Sequence, residues 1–378
     1  MKFKIPREKI KQAVSVAEKI TGKDASLPIL GNIMLKAEDN YLSVIATNLE
    51  TGIIWDLLAK TETAGSAVLP AGIFSGLVSS LPGSTLLIDK KNDTVSVVDE
   101  KTKSNLISLA PEEFPTLPII DGGDYFNVRA DIFCQALTQV ANFSGTSSVK
   151  PEINGVCVVI ENDNIKIVAT DGFRLGEKKI STAGKGLLSK KYSIILPARA
   201  VREIVAVFGN FQKNIIVYLS DNQMMIDFSD DDGGGRSRIR FMSRLIDGEF
   251  PDYQAIIPDA HTTQIGFLKK EILFQLKPAQ IFSGKNSEIT VEVSVKDKVA
   301  KIASRAADFG GYEGETGLLV AEGKDIAIVF NNRFLIDGLS AITADECFLG
   351  FSGDDGPALL RSKTGDDFIY IIMPIKKY

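Results

Sequence analysis

The chain has 378 residues, 44% hydrophobic and 24% charged, the balance of a folded globular protein and not of a disordered or fibrous one. Its formal net charge of −5 excludes a surface coated in basic residues but leaves room for a local basic lining. A single histidine, His261, and three scattered cysteines, Cys134, Cys157 and Cys347, exclude a histidine-based metal centre and a serine–histidine triad, and suit reduced core thiols in cytoplasm.

Met1-Lys2-Phe3-Lys4-Ile5-Pro6 runs straight into patterned sequence, so no signal or transit peptide is expected, and no stretch reaches the roughly 20 apolar residues of a membrane span. Ile10, Ala13, Val14 and Ala17 share the i, i+3, i+4, i+7 spacing of one helix face and predict a helix within residues 6–23. Residues 42–47 are a strand-like run closed by Asn48. Leu69-Pro70-Ala71 then opens a second helix over 69–82, its face carried by Phe74, Leu77, Val78 and Leu81. Proline near a helix start gives up an N–H that had no partner there. The turn-rich Asp121-Gly122-Gly123-Asp124 marks a boundary.

From there the order begins again. Phe133, Ala136, Leu137 and Val140 place a helix within 128–150, residues 165–170 read as a strand closed by Asp171, and Leu196-Pro197-Ala198 opens a helix over 196–209 with Val201, Ile204, Val205 and Phe208 on its face. Strand-like 224–228 and 237–241 flank Asp230-Asp231-Asp232-Gly233-Gly234-Gly235, which reads as a solvated hairpin tip because it lacks the alternating ligands of a calcium loop. Gly184-Lys185-Gly186 reads as a flexible connector, not a phosphate loop. Residues 245–253 lead to a second boundary at Pro258-Asp259-Ala260. Beyond it come a helix within 267–285 (Ile272, Leu273, Leu276, Ala279), a degenerate strand at 300–305 and a helix within 329–342 (Leu335, Leu339, Ile342).

The spacings make this a repeat. The two strand motifs lie 123 residues apart, the two Leu-Pro-Ala helices 127, and Phe143-Ser144-Gly145 and Phe282-Ser283-Gly284 lie 139 apart. Matching order and spacing predict three copies of one α+β unit, at 1–124, 125–257 and 258–378, in preference to three unrelated domains that share generic amphipathic helices. Such a repeat points to a scaffold, not an enzyme. The six helical segments hold fourteen basic and six acidic residues, a net of +8, which leaves −13 elsewhere. Helices sharing one face would make that face attractive to phosphate backbones, although lysine and arginine are also simply good helix formers.

Five short motifs occur in a telling order: Met1-Lys2-Phe3; Leu27-Pro28-Ile29-Leu30-Gly31-Asn32; Ala169-Thr170-Asp171-Gly172 with Arg174-Leu175; Asp247-Gly248 with Phe250-Pro251-Asp252-Tyr253; and Met373-Pro374. Over its whole length the chain resembles the bacterial DNA sliding clamps, the beta subunits of DNA polymerase III. The resemblance implies three clamp domains per chain, helices on one face of antiparallel sheets, and a head-to-tail homodimer closing a ring around duplex DNA. It implies a non-catalytic processivity factor, cytoplasmic and without cofactor or metal. Its partners would be a clamp loader, the DNA polymerase III alpha subunit and other proteins bearing a clamp-binding motif, with no membrane involved.

Carried over residue by residue, the resemblance makes Lys23, Lys150, Arg199 and Arg202 candidate DNA-facing positions. A partner-peptide cleft would use Ile153, Thr170, Gly172, Phe173, Arg174 and Leu175 of the second unit, Pro251 and Ile256 of the linker, and Asn331, Phe334, Ile371, Met373 and Pro374 of the third. Phe173 replaces a frequent histidine and makes that wall more apolar; Pro357 stands where a small polar residue is common. Tyrosines of the family pattern are missing near Pro151 and Glu152, so the aromatic contact with a single-stranded end is not carried over. Leu106 and Ile107 would face Ile281 and Phe282 of a second chain. Two alternatives stand beside this reading: a specialised clamp paralogue, such as a drug-resistance copy, and a metal-dependent enzyme built on Asp230, Asp231 and Asp232.

Overall fold

The structure, a computed structural model, describes residues 1–22, 27–147, 149–161, 164–181, 191–230, 237–308, 310–365 and 367–376. Among them are six α-helices: α1 (Arg7–Ile20), α2 (Ala71–Ser80), α3 (Ala130–Ala141), α4 (Ala198–Phe208), α5 (Lys269–Ala279) and α6 (Asn332–Ala341). Each falls inside a segment predicted to be helical. The chain groups into two compact units, one of Met1–Cys134 with Arg199–Leu245 and one of Gln135–Ala183, Lys191–Ala198 and Ile246–Tyr378.

In the first unit an eight-stranded antiparallel sheet is the organising layer. Its order is Asp124–Arg129, Asn214–Leu219, Gln223–Asp230, Ser237–Arg244, Thr51–Leu58, Tyr41–Thr47, Asn32–Glu38 and Gly65–Pro70. The join between repeats is the pairing of Ser237–Arg244 with Thr51–Leu58, from Arg238 opposite Asp56 to Ser243 opposite Thr51. The second unit repeats this join in a nine-stranded sheet, where Arg174–Ser181 pairs with Phe368–Ile372. Each junction is therefore a backbone ladder, and its partners lie far apart in sequence. Smaller sheets of five and four strands complete the two units.

Burial follows the period of each element. On α4, Ala200, Val201, Ile204, Val207 and Phe208 face inward. Strand Tyr41–Thr47 buries consecutive residues because both faces are covered: α1 lies against it, while Ile45 joins a cluster with Ile54, Val68, Phe114, Met225 and Met242 under the linker. The matching cluster of the second unit gathers Cys157, Val159, Val168, Leu175, Leu359 and Ile371 beneath Tyr253. The two linkers carry a sequence echo that periodicity did not reveal, Glu113-Phe114-Pro115-Thr116-Leu117 and Glu249-Phe250-Pro251-Asp252-Tyr253.

The Phe-Ser-Gly echo has a physical role and a third member. Thr21, Ser144 and Ser283 each donate a hydroxyl to the carbonyl three residues back, of Glu18, Ala141 and Gln280, at 2.7–2.9 Å. The glycines that follow Thr21 and Ser144 then donate N–H to the carbonyls of Leu30 and Ile153. This device stops α3 at Ala141, well short of residue 150. After α5 the chain turns through Gly284 at φ +66°, so that helix too ends before residue 285.

Trimming the helices changes the charge count. As observed they hold ten basic and six acidic residues, a net of +4. The excess sits on α1, α4 and α5; α2 has no charged residue and α3 only Asp131.

Candidate functional site

The second junction assembles most of the proposed cleft. Residues 170–174 form a tight turn: Thr170 Oγ1 donates to Arg174 O at 2.7 Å and accepts from Gly172 N, while Asp171 Oδ1 accepts from the N–H groups of Phe173 and Arg174, both at 3.0 Å. Gly172 sits at φ +89°, where a glycine is favoured. Thr47, Asn48 and Leu49 build the same turn in the first unit, with Leu49 carrying the positive φ of 72°. The ladder sets Arg174 and Leu175 opposite Ile372 and Ile371, and Met373 N donates to Phe173 O at 2.9 Å. Turn and C-terminal strand thus meet directly.

Helix α6 supplies the next wall. Asn331 is its N-cap, accepting from the N–H groups of Arg333 and Phe334. Phe334 is held from behind, because Tyr370 donates its hydroxyl to Phe334 O at 2.8 Å. Burial raises the Tyr370 pKa and keeps this hydroxyl a donor. The Arg174 guanidinium lies 4.3 Å from the Phe334 ring centroid and 5.4 Å from that of Phe143. It donates to Asp171 at 2.9 Å, to Asp337 at 2.6 Å and to Asn142 O at 3.1 Å. Burial works against its charge, but Asp337 and then Asp171 outweigh this and raise its pKa.

Leu175, Ile371, Ile153 and Thr170 are buried, and Leu175 and Ile371 share one core cluster. Phe173 is 66% and Ile256 44% exposed, Pro251 is exposed, and Met373 and Pro374 are half-buried. An exposed aromatic beside aliphatic and methionine side chains is the kind of patch that marks an interaction site. Tyr253, two residues after Pro251, fastens the linker through a 2.6 Å bond to buried Glu177. Asp337, Phe143 and Tyr370 were not among the expected site residues: Asp337 and Tyr370 read as ordinary helix and strand positions, and Phe143 only as part of the repeat echo.

Of the proposed DNA-facing residues, Arg199 and Arg202 line a cavity of about 350 Å³ between α4 and α1, with Lys19 on the opposite wall and Val16, Ile20, Ala206 and Val207 as its apolar surface. Glu203 within it pairs with Arg199 at 2.9 Å and accepts from the Thr51 hydroxyl at 2.6 Å. In the sequence Lys19 stands only as one of the basic residues of its helix. Lys150 is exposed ahead of the 3-10 turn Pro151–Asn154, and Lys23 lies outside the described residues.

Ile107 is 76% exposed on Lys103–Ile107, the end strand of the five-stranded sheet, and Leu106 beside it is half-buried. Ile281 is 72% exposed and Phe282 half-buried just after α5. Phe274 on α5, 74% exposed, had passed as part of an ordinary helix. Asp230 pairs with Lys213 at 2.6 Å, while Asp231, Asp232 and Gly184-Lys185-Gly186 lie outside the described residues. Among the described residues no three histidine, cysteine or acidic side chains converge as a metal site, and no helix is long and apolar enough to cross a membrane.

Three family models match in succession: the DNA polymerase III beta subunit N-terminal domain at residues 1–118, its central domain at 127–252 and its C-terminal domain at 254–376. The chain belongs to the DNA polymerase III beta-subunit family. Other beta subunits resemble it from end to end. The beta sliding clamps of Staphylococcus epidermidis and Staphylococcus aureus are each 24% identical over 388 residues, covering all of both chains. Among solved structures, the DNA polymerase sliding clamp of Bacillus subtilis matches with a TM-score of 0.92 at 24% identity, and the DNA polymerase III beta subunit of Thermotoga maritima with 0.90 at 23%, again over the full length of both chains. The fold is that of three beta-subunit domains with antiparallel sheets and, among the described residues, six α-helices.

Proposed function

We propose that this chain is a DNA sliding clamp, the non-catalytic processivity subunit that tethers the replicative polymerase to duplex DNA. The observation that carries the reading is the unbroken succession of three beta-subunit domains over nearly the whole chain. Two chains, joined head to tail, close a ring of six such domains in the cytoplasm, with domain limits near 1–124, 125–257 and 258–378. Exposed Ile107 on an open strand edge, with Leu106, and exposed Ile281 and Phe274, with Phe282, support placing closure at the first and third domains.

Long, flexible cations suit sliding, since a phosphate contact carries no base information and is readily exchanged. Arg199, Arg202 and Lys19 in their shared groove, with Lys23 and Lys150, are the proposed backbone contacts. The cleft around Phe173, Leu175, Phe334, Ile371 and Met373, with Ile153, Thr170, Gly172, Arg174, Pro251, Ile256, Asn331 and Pro374, takes a short apolar peptide. The DNA polymerase III alpha subunit, the clamp loader and other proteins carrying the motif would compete for it.

Primer extension on a singly primed circular template tests the reading. With loader, ATP and the cognate polymerase, the chain should convert short products into full-length ones at a salt concentration that halts the polymerase alone. Product lengths unchanged by its addition would overturn the assignment.

A further inference from the structure

The two junctions are built to one plan, and one of the residues at which they differ reaches across to the next repeat. In each, the fourth residue after the turn's threonine reaches for a carboxylate on the second helix of the next repeat. Thr51 donates to Glu203, five residues into α4 from Ala198, and Arg174 donates to Asp337, five residues into α6 from Asn332. Both bonds measure 2.6 Å. At the first junction Thr51 is short and buried, and Glu203 lies in the wall of the groove between α1 and α4. At the second, the guanidinium of Arg174 fills the space between Phe334 and Phe143.

We propose that Arg174 is a positioning residue, a latch that holds Phe334 and α6 against the 170–175 turn and so sets the width of the peptide cleft. The proposal rests on the reading of this cleft as the peptide site. Three observations support it. The side chain is only 11% exposed, so little of it is available to a ligand. Its three nitrogens already donate to Asp171, Asp337 and Asn142, which leaves the peptide to be met by apolar atoms. Its guanidinium carbon lies over the Phe334 ring, so lateral movement of α6 breaks the cation–π contact and the ion pair together. Asp337 is 46% exposed, and salt reaches the pair from that side.

The test compares Arg174→Thr, the residue that the first junction uses, with Arg174→Lys and Asp337→Asn. A fluorescein-labelled peptide from the motif of the cognate DNA polymerase III alpha subunit is the probe, its affinity is read by anisotropy, and circular dichroism and mass in solution serve as folding controls. Arg174→Thr should weaken binding about tenfold, and Arg174→Lys, which keeps the charge but not the planar stack, should recover part of the loss. Wild-type affinity should fall as sodium chloride rises from 50 to 500 mM, and Asp337→Asn should flatten that dependence without touching the turn; a purely structural arginine predicts no such change in slope. Full affinity in folded Arg174→Thr, or an unchanged salt slope in Asp337→Asn, would overturn the latch and leave the cleft reading intact. No binding by the wild-type protein would overturn the cleft reading, and the latch with it.

Discussion

Gly176 and Gly338 clear the space that the second junction needs. A Cβ at Gly176 would lie 2.4 Å from the Phe143 ring, and one at Gly338 would lie 2.4 Å from the ring of Tyr370. The two aromatic rings, 4.9 Å apart between centroids, can therefore pack only with bare backbone at both positions. Gly176→Ala and Gly338→Ala should each cost about 1–3 kcal/mol in urea unfolding and weaken peptide binding as well. Tyr253→Phe should cost about 1–3 kcal/mol, because it leaves the buried Glu177 carboxylate without its hydroxyl donor. Burial lifts the Cys134 thiol to about 12 and those of Cys157 and Cys347 to about 11, so native protein should react with Ellman's reagent only as fast as it unfolds. At this scale Phe173 and Arg174 were legible through the resemblance, as cleft residues. The sequence could not expose Asp337, because a partner 163 positions away is joined to Arg174 only by the sheet.

At the scale of elements, amphipathic spacing places all six helices, since a helix reports its own buried face within a few turns. Their ends were less legible. The Phe-Ser-Gly segments read as a repeat marker, and their action as a stop depends on a serine hydroxyl returning to a carbonyl and on Gly145 meeting Ile153. Residues 245–253 read as connection between units, yet Tyr253 is a core residue of the second junction, as Phe114 is of the first. One turn makes a pH prediction. Asp99 accepts from the backbone N–H of Lys101 above all, and also from Thr102 and Gly83, which holds its pKa at about 2 against 3.8 unperturbed. A pKa lowered by folding stabilises fully above the unfolded value, so this contribution is intact above about pH 4 and disappears as pH falls towards 2. Urea midpoints measured across that range should fall more steeply for the wild type than for Asp99→Asn.

For the whole molecule, the repeat and the split of charge pointed to a scaffold with a basic surface before any resemblance was considered. The observed helices halve the positive excess to +4 and confine it to α1, α4 and α5, leaving α2 uncharged. Assembly was least legible, since Ile107 and Phe274 differ from core residues only by what fails to cover them. Ile107→Asp should reduce the mass in solution from twice 41.0 kDa to that of one chain, with the fold retained. A closed ring holds DNA by encircling it, not by the strength of any contact. The direct measurement is retention on nicked circular DNA after loading, followed by cutting of that DNA at one site. The chain should stay on the circle through a salt wash and leave once the DNA is linear, whereas equal retention on circular and linear DNA would contradict the account.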